Sequence, residues 1–566
     1  VTDDPVFLPS TPAEVRRRGW DTLDIILVTG DAYIDHPAMG VALVGKILAD
    51  AGFRVGIIGQ PDIDSPADLT RLGRPRLFWG VTGGAVDSMV ANYTAAGKRR
   101  RSDDFTPGGR NDRRPDRAVI AYCNAIRRFC RPVAPIVLGG IEASLRRVAH
   151  YDWWRDEIRR SILFDARADY LLYGMADRTV VELARRLAAG RPVTDMAGVC
   201  FKAKARPDDA LALPSFEACR RDRGAFADMF RLFALHAEYP GRPLVQAHGD
   251  WYLIHNPPPP PPTSAELDRV YELPFAREAH PVHQAAGPVR ALDTIRFSIT
   301  SHRGCYGGCR FCAIAVHQGR TVVSRSPDSI VREAKSFRRH PRFRGIISDV
   351  GGATANMYGI ECPKKLRKGP CRDRGCLFPD ICPLLPVDHG PQRRLLARLR
   401  RLAGIRRVFV ASGIRYDMIL ADGRNGRAYL EDLVAHHVSG QMKIAPEHTD
   451  PEVLALMGKP PIDRLEDFRR LFADTCRKTG CRRYLTYYFI AAHPGCSEAA
   501  MVACSRYCRR RLRFTPEQVQ IFTPTPSTFS TLMYHTGRDP FTGRRIFVER
   551  TSAGRQRQKD LLVGGA

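Results

Sequence analysis

Three cysteines define the chemistry this chain can attempt. Cys305, Cys309 and Cys312 stand in C-x3-C-x2-C spacing within SITSHRGCYGGCRFCAIAVHQGR. Soft thiolates suit iron–sulfur clusters, and three of them on one tight loop can each take one iron of a cubane. Gly304, Gly307 and Gly308 let the backbone wrap closely and keep its N–H groups free for cluster sulfides. One iron of the cube is then left without a protein ligand. By analogy with zinc, an open coordination position marks a catalytic centre rather than a sealed structural one. A zinc site completed by His302 or His317 is the alternative reading.

A second group, Cys362, Cys371, Cys376 and Cys382, is spaced C-x8-C-x4-C-x5-C. Four soft ligands within 21 residues can close the shell of an auxiliary iron–sulfur cluster or a structural zinc, with iron–sulfur ahead. Lys364, Lys365, Arg367, Lys368, Arg372 and Arg374 surround it and can offset thiolate or cluster charge, or contact an anionic substrate. Seven of the 16 cysteines fall between Cys305 and Cys382, and the others read as ordinary core or surface residues.

The elements that must carry these groups are legible as apolar runs. DIILVTG, FRVGIIG, LFWGVTG, PIVLGG and YLLYG each close on glycine, with helical stretches between them, which predicts a doubly wound parallel sheet covered on both faces. Residues 201–290 are less regular and include the proline run Pro257–Pro262, a semi-rigid spacer, boundary or surface loop. TIRFSIT, FRGIISDVGG, RRVFVASG, GQMKIAP, RYLTYYFIAA and VQIFTPTP then predict six β/α repeats, a partial parallel barrel with its chemistry at the carboxyl ends of the strands. The expected domains are 1–200, 201–290 as a connection, 291–540 as the barrel with a cysteine-rich insertion at 362–382, and 541–566 as a basic, truncated tail.

Composition narrows the class. With 44% hydrophobic and 26% charged residues in 566, the chain is globular, and no apolar run is long enough to span a membrane. It starts at Val1 without a basic-then-apolar export pattern, so a cytoplasmic enzyme is expected. The 88 Lys and Arg, only 12 of them Lys, against 60 Asp and Glu give +28. That excess favours RNA or another polyanion as partner. The bland alternative is an arginine-biased surface.

The C-x3-C-x-(aromatic)-C pattern, with Phe311 as the aromatic, resembles the signature of radical S-adenosylmethionine (SAM) enzymes. GWDTLDIILVTGDAYIDHPAMG, PIVLGGIEASLRRVAHYD, SDVGGATANMY, ASGIRYD, KIAPEHT and AAHPG are together similar to the YgiQ family of that superfamily, over nearly the whole chain. The resemblance implies a [4Fe–4S] cluster on Cys305, Cys309 and Cys312, chelation of its fourth iron by the methionine end of SAM, and reductive cleavage to a 5′-deoxyadenosyl radical. It implies a reductive electron donor of flavodoxin or ferredoxin type and leaves the substrate open. Phe311, Gly351, Gly352 and Ser412 are the implied SAM contacts. Ala353 stands where the wider superfamily has an acid, for which Asp349 or Asn356 are substitutes. Arg415 is placed to reach the ribose or carboxylate, and His493, Pro494 and Gly495 to approach the adenine. Lys443, Glu447 and His448 supply proton donors or acceptors. The fold implied is a cobalamin-binding-like doubly wound α/β sheet followed by a radical SAM partial (β/α)6 TIM-type barrel. Cobalamin itself is left open, because His36 lacks the D-x-H-x-x-G context of a cobalt ligand. The competing class is a non-catalytic iron–sulfur or zinc protein that binds nucleic acid through its basic surface.

Overall fold

A computed structural model describes residues 6–371 and 374–565, and the chain divides into two compact units. The first, Val1–Pro260 with Leu273–Arg296, is built on a nine-stranded sheet. Its strands are β1 (Ile25–Thr29), β2 (Val55–Gly59), β3 (Phe78–Thr82), β4 (Ile136–Leu138), β5 (Tyr170–Leu172), β6 (Val199–Ala203), β7 (Leu211–Leu213), β8 (Leu244–His248) and β9 (Trp251–His255). They lie in the order β7-β8-β9-β6-β5-β4-β3-β1-β2, and β2, β1, β3, β4 and β5 are parallel. Every residue of β1 and β2 is buried, as a parallel strand covered on both faces requires. Numbered by sequence, the parallel core runs 2-1-3-4-5, which places the topological switch point between the carboxyl ends of β1 and β3.

Residues 201–290 are not the irregular connection the sequence suggested. Strands β6 to β9 extend the sheet through antiparallel β5–β6, β6–β9 and β8–β9 pairs. The polar KAKARPDD stretch begins in the last two residues of β6 and continues from Lys204 as the turn to β7. The division between units falls inside the proline run, after Pro260, and the chain rejoins the first unit from Leu273 to Arg296.

The second unit, Pro261–Glu272 with Phe297–Ala566, holds six parallel segments. These are β10 (Ser298–Thr300), β11 (Ile346–Ile347 and Asp349–Gly351), β12 (Arg407–Val408), β13 (Gln441–Glu447), β14 (Tyr484–Ala491) and β15 (Gln518–Ile521). Neighbours pair in sequence order, with Ile414 and Ile444 bridging the third and fourth segments. Each strand sends at least one buried side chain into a shared core, among them Ile299, Val350, Val408, Ile444, Phe489 and Val519. This is an open (β/α)6 barrel. The last residues are folded rather than a loose tail. Helix Ser552–Asp560 sets the Gln558 carboxamide between Ala492 N–H and the Cys496 carbonyl, each at 3.0 Å, and Leu562 is buried in the barrel core. No helix among the described residues is long and apolar enough to cross a membrane.

Candidate functional site

The cysteine loop leaves the carboxyl end of β10. Gly304 has φ +82°, and a Cβ there would lie 2.0 Å from the Thr321 carbonyl oxygen, so only glycine fits this turn. Beyond it the Cys305 thiol accepts the Gly307 N–H at 3.3 Å and lies 3.3 Å from the Thr354 hydroxyl. A Cβ on Gly307 would meet the sulfurs of Cys305 and Cys309 at 3.1 and 3.6 Å, so the glycine leaves the space between them open. Cys312 caps helix Ala313–Gln318, and its N–H donates to the Cys309 carbonyl at 3.1 Å. Burial first, then the neighbouring thiols, pushes Cys312 up to about 12, and Cys305 also lies above its ordinary value. A soft cation that displaces these protons relieves that penalty. Among the described residues no three His, Cys, Asp or Glu side chains are already arranged to hold a metal ion. A cube takes its thiolates at separate corners, a wider set than one zinc accepts.

A cation from the end of the third strand reaches the loop. Arg415 Nη1 donates to Cys309 Sγ at 3.7 Å, while its Nε donates to Asp417 at 2.8 Å and its Nη2 completes a two-point ion pair. Burial alone would weaken the charge on Arg415, but Asp417 overrides it and keeps the guanidinium protonated. Arg415 N–H donates to Asn356 Oδ1 at 2.8 Å, and Asn356 Nδ2 returns a bond to the Arg415 carbonyl at 3.0 Å. Asn356 also meets His389 Nε2 at 3.1 Å, and His389 Nδ1 pairs with Asp422 at 2.8 Å. Asn356 is therefore a brace for the Arg415 backbone. Thr354, Asp417, His389 and Asp422 were not singled out in the sequence; only the Arg-x-Asp spacing of IRYD carried a signal.

The other anticipated residues divide by what already holds them. Asp349 accepts Ala411 N–H at 2.8 Å and bonds the Ser412 hydroxyl, so it ties down the third strand's loop. A Cβ on Gly352 would lie 2.8 Å from His302 Nε2, and one on Gly351 would lie 3.2 Å from the Ser412 hydroxyl. Both glycines serve close packing. His302 bonds the Thr354 carbonyl at 2.9 Å and the Ser301 hydroxyl at 2.9 Å, so both ring nitrogens are engaged within the fold, and burial keeps the ring neutral with its pKa down at about 4. Phe311 packs edge-on to His493, with ring centroids 6.2 Å apart, so the cysteine loop and the fifth strand's end meet. His493 is a buried brace to Ser530 at 2.7 Å. Glu447 is buried with Lys459 Nζ at 3.9 Å, and burial raises its carboxyl against the pull of Lys459 and Arg415. His448 faces Cys496 at 3.4 Å, whereas Lys443 is exposed. Glu447 and Ala492, at the ends of β13 and β14, have φ of 71° and 58°. Such strain beside a catalytic face is held by the surrounding structure. Cys362 and Cys382 are buried in one cluster with Tyr306, the partly buried Cys376 packs against it, Cys371 is partly exposed, and Arg372 lies outside the described residues.

At the switch point of the first unit, the chain fills the crevice itself. A Cβ on Gly30 would lie 2.2 Å from the Gly83 carbonyl oxygen, so the ends of β1 and β3 are in backbone contact. Arg114, 1% exposed, is clamped between Asp31 at 2.6 Å and Asp103 at 2.8 Å. Gln60 bridges the Gly30 carbonyl and the Thr106 hydroxyl at 3.0 and 2.7 Å. His36 is buried with Nε2 2.8 Å from Arg277 and Nδ1 accepting Ala38 N–H at 3.0 Å.

Comparisons with known proteins agree with this layout. Family models described as Radical SAM N-terminal, Radical SAM superfamily and a domain of unknown function (DUF3362) match residues 7–298, 299–504 and 517–562. A UPF0313 protein of Fusobacterium nucleatum is 51% identical over 559 residues, covering 98% of both chains. This chain belongs to the UPF0313, or YgiQ-type, radical SAM family. Another member of the family, from Thermotoga maritima, is 46% identical over 562 residues, covering 99% of this chain and 98% of its own. Among solved structures, the radical SAM methyltransferase TsrM of Kitasatospora setae, with cobalamin and a [4Fe–4S] cluster bound, matches with a TM-score of 0.53 at 16% identity, covering 91% of this chain and 78% of that one. The cobalamin-dependent radical SAM enzyme OxsB matches with a TM-score of 0.50 at 10% identity, covering 92% and 57%. At these identities the likeness is one of fold. The family makes the chain a radical SAM enzyme, with a [4Fe–4S] cluster and SAM as its cofactors and a reductant as its requirement.

Proposed function

We propose that Cys305, Cys309 and Cys312 each hold one iron of a [4Fe–4S] cluster, that SAM takes the fourth, and that the chain uses the pair to start radical chemistry on a substrate yet to be found. When bound and reduced, the cluster supplies the electron that splits the sulfonium into methionine and a 5′-deoxyadenosyl radical. The protein's part is positioning and charge. Arg415, aimed by Asp417 and braced by Asn356, sets a permanent cation against the Cys309 sulfur. That cation offsets the charge of a thiolate-ligated cluster. Phe311 and Ser412 line the approach on which the nucleoside is proposed to lie, and Gly351 and Gly352 keep it narrow. The electron donor is of the flavodoxin or ferredoxin class, and the excess of arginine supports RNA or another polyanion as partner.

The observation that carries this reading is the meeting of two strand ends at one thiol, the Arg415–Cys309 contact of 3.7 Å. Anaerobically reconstituted protein with dithionite should release 5′-deoxyadenosine from SAM, and Cys309→Ala should not. Release of none by the parent, with iron bound, would favour a non-catalytic cluster.

Methyl transfer through a corrin has the fold in its favour and this chain's residues against it. The switch point where such a ligand belongs is occupied by the Asp31–Arg114–Asp103 ion pairs, and His36 has both ring nitrogens engaged. These residues do not fit a corrin, and the proposed chemistry proceeds without one.

A further inference from the structure

We infer that Cys362, Cys371, Cys376 and Cys382 bind a second iron–sulfur cluster, adjoining the cysteine loop of the first. Two independent features point there. Cys362 and Cys382 lie in one cluster of buried side chains with Tyr306, Val322, Met357 and Leu377, against which the partly buried Cys376 and Cys305 also pack. Their order is fixed by the backbone: Cys382 N–H donates to the Cys376 carbonyl at 2.8 Å, and Cys362 caps helix Pro363–Lys368. The second feature is a buried cation. Lys365, 4% exposed, has its ammonium 5.4 Å from the Tyr306 ring centroid and bonded to the Arg320 carbonyl.

Three thiols gathered on one apolar cluster beside a buried ammonium offer soft ligands together with a counter-charge. Four thiolates on a cluster accept such a cation as a counter-charge. The spacing favours a cluster over zinc: only the Cys371–Cys376 gap, with four intervening residues, lies within the C-x2-4-C range common in structural zinc sites, and the other two gaps have five and eight. Cysteines spread along a loop suit the separate corners of a cube. Tyr306 joins the two sites. It follows Cys305 in the chain, and its hydroxyl accepts the Cys362 N–H at 2.9 Å.

The test does not depend on SAM cleavage. A Cys305/Cys309/Cys312→Ala variant, reconstituted anaerobically, should keep about four iron and four sulfide per chain with a thiolate-to-iron absorption band. Adding Cys376→Ser should remove them. In the reciprocal variant, Cys371→Ser with Cys376→Ser, the first cluster should remain and 5′-deoxyadenosine release should still be measurable. Circular dichroism distinguishes loss of metal from loss of fold, and the partly exposed Cys371→Ser alone should lower the second iron count if the four-residue variant proves unstable. Zinc at one per chain in the triple variant, or a folded triple variant with no metal, overturns the proposal. Failure of the parent to cleave SAM while the triple variant holds iron would sink the reading of the first site and leave this one standing.

Discussion

Arg415 concentrates the argument at the residue scale, because it touches a candidate cluster ligand while being held by Asp417 and Asn356. Lysine can reach one of these partners but lacks the planar fork that takes both carboxylate oxygens. Arg415→Lys should keep iron close to the parent value and lower 5′-deoxyadenosine release about 10- to 100-fold, as loss of a group ordering a metal ligand does. Arg415→Met should in addition shift the cluster's reduction potential to more negative values, which electron paramagnetic resonance titration reads. The brace behind Asn356 makes a pH prediction. Burial would raise the Asp422 carboxyl, but hydrogen bonds from His389 and Asn425 hold it down at about 2. A carboxyl depressed in the folded state contributes stability that is full above its unfolded range near 4 and lost as pH falls through about 2. Urea midpoints should therefore drop between these values in the parent. In Asp422→Asn that part of the acid slope should vanish, with a lower plateau at neutral pH.

At the scale of elements, one glycine decides whether the cysteine loop closes. A side chain at Gly304 meets both a left-handed φ of 82° and the Thr321 oxygen, whereas a Cβ on Gly308, at φ 60°, finds its nearest atom at 3.8 Å. Gly304→Ala should cost the loop its geometry and most of the iron held by the first site, while Gly308→Ala, carrying the backbone strain of about 1 kcal/mol alone, should retain it. Iron per chain in the two variants checks the contrast. The parallel strands of the first unit were legible because strands buried on both faces are continuous apolar runs closing on glycine, whereas the barrel strands, half-buried in alternation, were legible as β-rich runs between helical stretches. The brace was not, since Asn356, His389 and Asp422 come from three elements about 33 residues apart, and no period links them. Strands β6 to β9 were not legible because their runs are broken by polar residues such as Lys202, Gln246 and His248, and Pro257–Pro262 next to them reads as a break. The terminal helix escaped for a related reason: its polar sequence buries Gln558 and Arg555, residues whose types predict a solvated tail.

On the whole molecule the question is where a charge of +28 does its work. In the barrel unit, strand polarity separates two ends: the cysteine loop and Arg415 follow strands, whereas segments 338–345, 398–406, 477–483 and 509–513 lead into them. Those leading segments carry Arg339, Arg342, Arg401, Arg482 and Arg510 on their exposed surface. Guanidinium groups spread over one end suit phosphates along a backbone, and they sit away from the chemistry. A polyanion bound there is docked by its backbone, not offered as the atom to be attacked. On the proposal that RNA is the partner, replacing Arg339, Arg342, Arg401 and Arg482 by Gln should weaken its binding and flatten the dependence on salt, by about 0.7–0.9 in the logarithmic slope for each phosphate no longer neutralised. SAM cleavage measured without RNA should stay at the parent rate, because none of the four touches the cysteine loop. An unchanged salt slope would move the polyanion site elsewhere, with the basic helix Pro363–Lys368 beside the second cysteine group the next place to look, and would then bring a phosphate backbone toward the chemistry rather than away from it.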